Sequence, residues 1–215
     1  MTSALAHGGG RMSPPARLAA LYRHPLKGLG SEALDSATLS PEGALAGDRA
    51  WALRTAAAPD TDVWQPRRNF LQVAAGPALA AIRARTLGGE TREPDAQGPG
   101  SQGQETQGGK TGRAGTWATE TRGTGALRLT HPSRPALDID PHADAPAAGA
   151  ALAAWLAPLW PDNRPAPAAL VRAPGHGMTD MPDPFVSIGN RASLRALSQR
   201  AGRPLDERRF RINLW

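Results

Sequence analysis

Between Gly88 and Gly125 the chain is built from Gly, Gln, Thr and Glu with almost no apolar side chains. Such a stretch cannot bury enough surface to offset the entropy of ordering it. It reads as a disordered insertion, and it splits the fold-forming residues into two blocks that must pack across it. The remaining chain is punctuated by many of its 24 Gly and 21 Pro residues, which favours short strands and turns over long helices. The expectation is a β-rich α+β protein of short strands. Residues 1–16 read as a disordered tail, rich in Gly, Ser and Pro.

The strand signals are brief. Arg17 to Tyr22 reads as a strand broken by His24-Pro25, since Pro cannot donate to a ladder. Leu34 to Leu39 reads as a second strand, and Ala50 to Leu53 as a third, after turns at Pro41 to Gly43 and at Gly47-Asp48. Asn69 to Val73 and Pro77 to Thr86 are short apolar units. Beyond the insertion, Ala126 to Thr130 and Ala136 to Ile139 resume the strand pattern. Leu152, Trp155, Leu156 and Leu159 repeat at helical spacing, predicting a helix over Ala147 to Trp160 that Pro158 ends. Leu170-Val171 and Phe185 to Ile188 read as strands. Asn190 reads as the cap of a second helix, with Leu194, Leu197 and Ala201 on one face and Gly202 and Pro204 stopping it.

The chain has no cysteine, which excludes disulfides, Fe–S clusters and Cys-ligated zinc. No segment holds the roughly 20 apolar residues of a membrane helix, and residues 1–15 lack a signal-peptide core. A cytoplasmic protein with no membrane partner is expected. The formal net charge is +6, carried almost wholly by arginine, which suits an anionic ligand or simple solubility. Seven arginines between Arg191 and Arg211 raise a nucleic-acid reading, but Phe210 is the one aromatic available there for stacking on bases. Nucleic acid is therefore not the expected partner.

Several polar groups invite a chemical reading. Lys27 follows the Pro-broken strand in a Gly-flanked loop, where an ammonium can act as a point charge on phosphate. Arg49 follows Gly47-Asp48, where a guanidinium can grip phosphate or a ring carbonyl in bidentate fashion. On sequence alone a structural pair with Asp48, or a solvated turn, is the plainer reading of these two. In "RFRIN", Arg211 and Asn213 would share one strand face, with Phe210 and Ile212 on the other, and Arg209 is a weaker companion. Asp138, Asp140 and His142 in "DIDPH" are metal-capable but read better as a polar strand face. His176 lies in a Gly-flanked loop. Ser187 and Ser193 have no triad partners at a motif spacing, and "GLG" at Gly28 lacks the third glycine of a dinucleotide fingerprint.

Three stretches taken in order carry a family resemblance: "LYRHPLKGLGSEAL" with "GALAGDRAWAL", then "NFLQV", then "GHGMTDMPDPFVSIGNRASLRAL" closing in "RRFRINLW". The chain resembles a MOSC-domain protein with its MOSC N-terminal domain. The resemblance implies a MOSC N-terminal domain over 17–140, containing the insertion at 88–125, and the start of an incomplete MOSC β-barrel over 141–215. It implies a molybdenum cofactor bound by Lys27, Arg49, Arg211 and Asn213, an electron-donor partner protein, and either reductase or cofactor-sulfuration chemistry. Pyridoxal phosphate binding is a further association of the family. The family's metal-ligating cysteine would follow the "RFR-N" segment, so the expectation is a C-terminally truncated chain with no catalytic residue of its own and impaired activity. The alternative is a non-catalytic anion- or pterin-binding module, or a degenerate gene fragment.

Overall fold

The computed structural model describes residues 16–61, 63–87 and 125–215. The expected tail at 1–16 and insertion at 88–125 fall, apart from Ala16 and Gly125, outside the described residues.

The His24-Pro25 break is real. Strand β1 (Leu21–Arg23) ends there and β2 (Leu26–Lys27) begins beyond it. The two go to different sheets. β1 pairs antiparallel with β3 (Glu32–Leu34), and its other edge takes the C-terminal segment, with Tyr22 N–H donating to Asn213 O at 2.8 Å and Trp215 N–H to Ala20 O at 3.0 Å. β2 runs parallel to β4 (Trp51–Thr55), which pairs antiparallel with β8 (Pro167–Arg172). β5 (Arg83–Thr86), β6 (Leu127–His131) and β7 (Arg134–Ile139) form a separate antiparallel sheet. Among the described residues no sheet closes into a barrel.

Helix α1 (Ala145–Leu156) starts where Asp144 accepts from Ala147 N–H at 2.8 Å, and a 3-10 turn (Ala157–Leu159) follows it. Its buried face, Ala148, Gly149, Leu152, Trp155 and Leu156, packs on β7 and β8. Gly149 allows this close approach, since a Cβ would stand 3.0 Å from both the backbone N and the Cβ of Leu170. Leu26, Leu29, Leu53, Ile82, Leu129, Leu152 and Leu170 join one apolar core, so both sides of the compositional break feed the same interior. A smaller cluster of Ala52, Phe70 and Met178 lies separately. Helix α2 (Arg191–Arg200) carries the predicted Asn190 cap, accepting from Ala192 N–H at 2.7 Å, but buries no residue.

Several expected elements differ. Residues 17–20 are not β-strand, and the second strand is Glu32–Leu34 rather than Leu34 to Leu39. Pro77–Ala81 is a 3-10 turn before β5, and Arg67–Asn69 is another, ahead of Phe70. Phe185 to Ile188 contributes one isolated bridge, Ile188 to Leu214. The largest correction falls on "RFRIN". Asp206 accepts from Arg208 N–H at 2.9 Å and caps a 3-10 turn (Glu207–Phe210), after which Arg211 turns left-handed at φ 53°. Arg211 and Asn213 do not share a strand face.

Candidate functional site

The site grows from the break after β1. His24, fully buried, donates its backbone N–H to Asp48 Oδ1 at 2.7 Å, and the Arg49 guanidinium engages the other carboxylate oxygen. Arg49 has a left-handed backbone, φ 50°, held from both sides: its N–H donates to His24 O at 2.6 Å and its carbonyl accepts from Met178 N–H at 2.8 Å. Among the described residues, the non-glycine residues with positive φ are Arg49 and Arg211. A left-handed arginine is uncommon and persists where its surroundings fix it. The two are joined directly, since Arg49 Nη2 donates to Arg211 O at 3.1 Å. Arg211 in turn donates to Gly30 O and Leu26 O, each at 3.1 Å. Burial and the adjacent Arg49 push its pKa down to about 9, so it stays charged at neutral pH.

The Lys27 ammonium is buried with all three N–H donors engaged, by Met178 O at 2.8 Å, Thr179 O at 3.0 Å and Asp180 Oδ1 at 2.7 Å. It lies 5.8 Å from the centre of the Phe70 ring. Burial lowers its pKa against the opposing pull of Asp180. Partial burial works against the Asp180 carboxylate, yet the hydrogen bond and charge of Lys27, with Arg49 and Arg67, hold its pKa below the usual value. The His24 ring faces Gly30 O through Nδ1 at 3.2 Å. Burial first, then Arg211 and Arg49, lower its pKa to about 2, so the ring is neutral.

Lys27, Arg49, Asp180 and Arg211 border a cavity of about 340 Å³. Lys27, Arg49, Arg67 and Arg211 supply cations, Asp180 an anion, and Phe185 and Phe210 apolar wall. Counting Asp48 behind Arg49, four cations against two carboxylates leave two positive charges. Gly28 belongs to the lining at φ 76°, where a Cβ would fall 2.2 Å from Leu71 O.

Three of the four sequence candidates thus meet. Asn213 does not line the cavity. It is buried as a splice between segments: Nδ2 donates to Tyr22 O at 3.1 Å, and Oδ1 accepts from Ser187 N–H at 3.2 Å and Ser187 Oγ at 2.9 Å. Arg209 lines a separate cavity of about 10 Å³. Asp138 is held by Arg128, Asp140 caps the turn to Ala143, and His142 stands edge-on to Trp51. Among the described residues no group of three or more His, Asp or Glu is placed to hold a metal. Arg67 and Asp180 join the site without a sequence motif of their own. Their one local signal is position, Arg67 two residues ahead of the Asn69 that opens "NFLQV" and Asp180 in the acid-Pro segment.

The family model for the MOSC N-terminal beta barrel domain matches residues 15–159. The chain belongs to that family. No curated relative and no solved structure matches it. The MOSC N-terminal match contains Lys27, Arg49 and Arg67, while Asp180, Phe185, Phe210 and Arg211 lie beyond it. The MOSC family is associated with the molybdenum cofactor. Among the described residues no helix is long and apolar enough to cross a membrane.

Proposed function

We propose that the cavity binds the phosphate-bearing pterin of a molybdenum cofactor, with Lys27, Arg49, Arg67 and Arg211 on the phosphate and the Phe185–Phe210 wall beside the ring. The observation that carries this is the convergence of four cations from four separate stretches of chain on one cavity. Small ligands commonly bind where separate elements meet around a few polar groups. Pyridoxal phosphate, another phosphate on a planar ring, would meet the same cations. Asn213 serves indirectly, by fixing the segment that carries Arg211.

The donor set fits the phosphate end of the cofactor. It does not supply a thiolate for the metal, since the 215 residues include no cysteine. When bound, the cofactor would supply the redox or sulfur chemistry. This chain's residues would bind and orient it, and the bonds from Arg49 and Arg211 to backbone carbonyls hold those guanidiniums in place before the ligand arrives. The reading places the protein with the reductase or cofactor-sulfuration branches, served in the former by an electron-donor protein. We further read residues 141–215 as the opening of a MOSC barrel. Exposed Ile188 and Leu197 support this as apolar side chains suited to further packing. The absent cysteine favours a second reading for these residues alone, a binding module without metal chemistry.

Arg67 is the cleanest probe, because its side chain is exposed and has no hydrogen-bond partner among the described residues. Inorganic phosphate binding by calorimetry should weaken about 10-fold or more in Arg67→Ala, the loss of one charge-assisted bond. Arg195→Ala, on exposed α2, should bind as wild type does. Equal binding by both variants would remove the cavity from consideration as an anion site.

A further inference from the structure

This inference rests on the reading of the cavity as an anion site. Lys27 is 6% exposed in its side chain and has no spare N–H. A ligand can reach that ammonium only by replacing one of its three partners. Two of them are backbone carbonyls, of Met178 and Thr179. Met178 is 1% exposed and tied to Arg49 O, and Gly177 packs so closely on Asp48 that a Cβ would fall 2.0 Å from its carbonyl oxygen. Those carbonyls leave only if the segment unfolds. The third partner is a side chain, and the Asp180 carboxylate is 62% exposed. Beyond it, Met181 is also open to solvent.

We propose that Asp180 is the site's own resident anion, holding the place on Lys27 that a ligand's anionic group takes, so that binding exchanges one for the other and sets which anions the site accepts. Withdrawal of the carboxylate removes a negative charge from a wall that also carries Arg49 and Arg67. The incoming group then meets three net positive charges instead of two. Every ligand must first release Asp180, and that cost is the same whatever the ligand. A weak monoanion falls below useful affinity, whereas a phosphate dianion recovers the cost from the three arginines. The competing view is a permanent ion pair that compensates a buried lysine.

Equal cost for every ligand provides the test. The full chain would be titrated calorimetrically with sulfate, a tetrahedral dianion, and with perchlorate, a tetrahedral monoanion, at fixed ionic strength. Asp180→Asn keeps the shape and can still accept from Lys27, and near-UV circular dichroism checks its fold. Exchange requires Asp180→Asn to tighten both anions by the same factor, about 10-fold, while Asp180→Glu stays close to wild type. A gain several-fold larger for sulfate than for perchlorate would mean that the carboxylate stays in place and merely repels, which overturns the exchange. Unchanged or weaker binding in Asp180→Asn overturns it too. Arg67→Ala made in the Asp180→Asn background separates the two ideas. If Arg67→Ala weakens sulfate there but Asp180→Asn alone gained nothing, the anion site stands and the exchange fails. If neither variant alters binding, the site itself fails and takes the exchange with it.

Discussion

The half of the molecule built on β5, β6, β7 and α1 and the half around the cavity are held by different forces. In the first, Ile82, Leu127, Leu129, Leu152 and Leu156 meet in apolar contact. In the second, charged and polar side chains are bonded to backbone: Lys27 to Met178 and Thr179, Arg211 to Leu26 and Gly30, Arg49 to Arg211, and Asn213 to Tyr22. Apolar contact tolerates small shifts, whereas a buried bond to a carbonyl is directional and fixes register. The cations of the second half therefore have two tasks, to splice distant segments and to present charge. A substitution there tests both at once unless the residue, like Arg67, is free of the first.

The comparison breaks most visibly in the apolar half. Leu152→Ala should lower unfolding free energy by about 2–5 kcal/mol through the cavity left in the core, read from urea or thermal unfolding. A loss below about 1 kcal/mol would mean that α1 contributes little to the fold. Next in size is Arg211→Ala, which takes one donor from each of Leu26 O and Gly30 O and leaves them Leu29 N–H and the His24 ring respectively. The expected loss is about 1.5–3 kcal/mol, the range for bonds to a charged group, with solvent at this half-buried site keeping the two bonds from adding in full. Hydrogen exchange should rise at residues 212–215 and stay unchanged in β5 to β7. Uniform acceleration across both halves would show that the two do not differ in the way described.

The third effect is one of pH, and it accumulates gradually with each unit of acidification. The pKa of His24 is about 2 in the fold against an ordinary 6.5. Between those values the unfolded chain binds a proton that the folded chain does not, so stability falls as pH falls below 6.5. The slope from this one group is about 1.4 kcal/mol per pH unit. His24→Asn, which can still donate to Gly30 O, should remove that slope between pH 6 and pH 4. An unchanged slope would assign the acid sensitivity to other groups.

What the sequence reveals and what it hides divides along the same line. The Asn190 cap acts within two residues and the apolar face of α1 repeats locally, so α2 is legible as it stands and α1 is legible apart from its ends, the Asp144 cap among them. Pro25, Gly28 and Gly47 mark the turns that carry Lys27 and Arg49, but those turns alone read as structural, and it is the family resemblance that makes the two residues site candidates. "RFRIN" misleads for a physical reason: its alternation mimics a strand, but the Asp206 cap and the carbonyls that receive Arg211 impose a turn. One of those, Leu26 O, is 185 residues away. Asn213 shows the same limit, since its role is a bond to Tyr22 across 191 residues. Arg67 and Asp180 become site residues only when distant segments meet, and no local pattern signals that.

The Lys27 ammonium meets its partners across 151 to 153 residues of chain. Contacts so far apart in sequence carry a large loop-closure entropy and slow the search for the native topology. The meander from β6 through β7 to α1 closes over short separations and is ready earlier. A ligand that needs the finished cavity then has nothing to hold during most of that search. Its stabilisation of the native state should appear as slower unfolding with little change in the folding rate, and so as a longer lifetime once assembled.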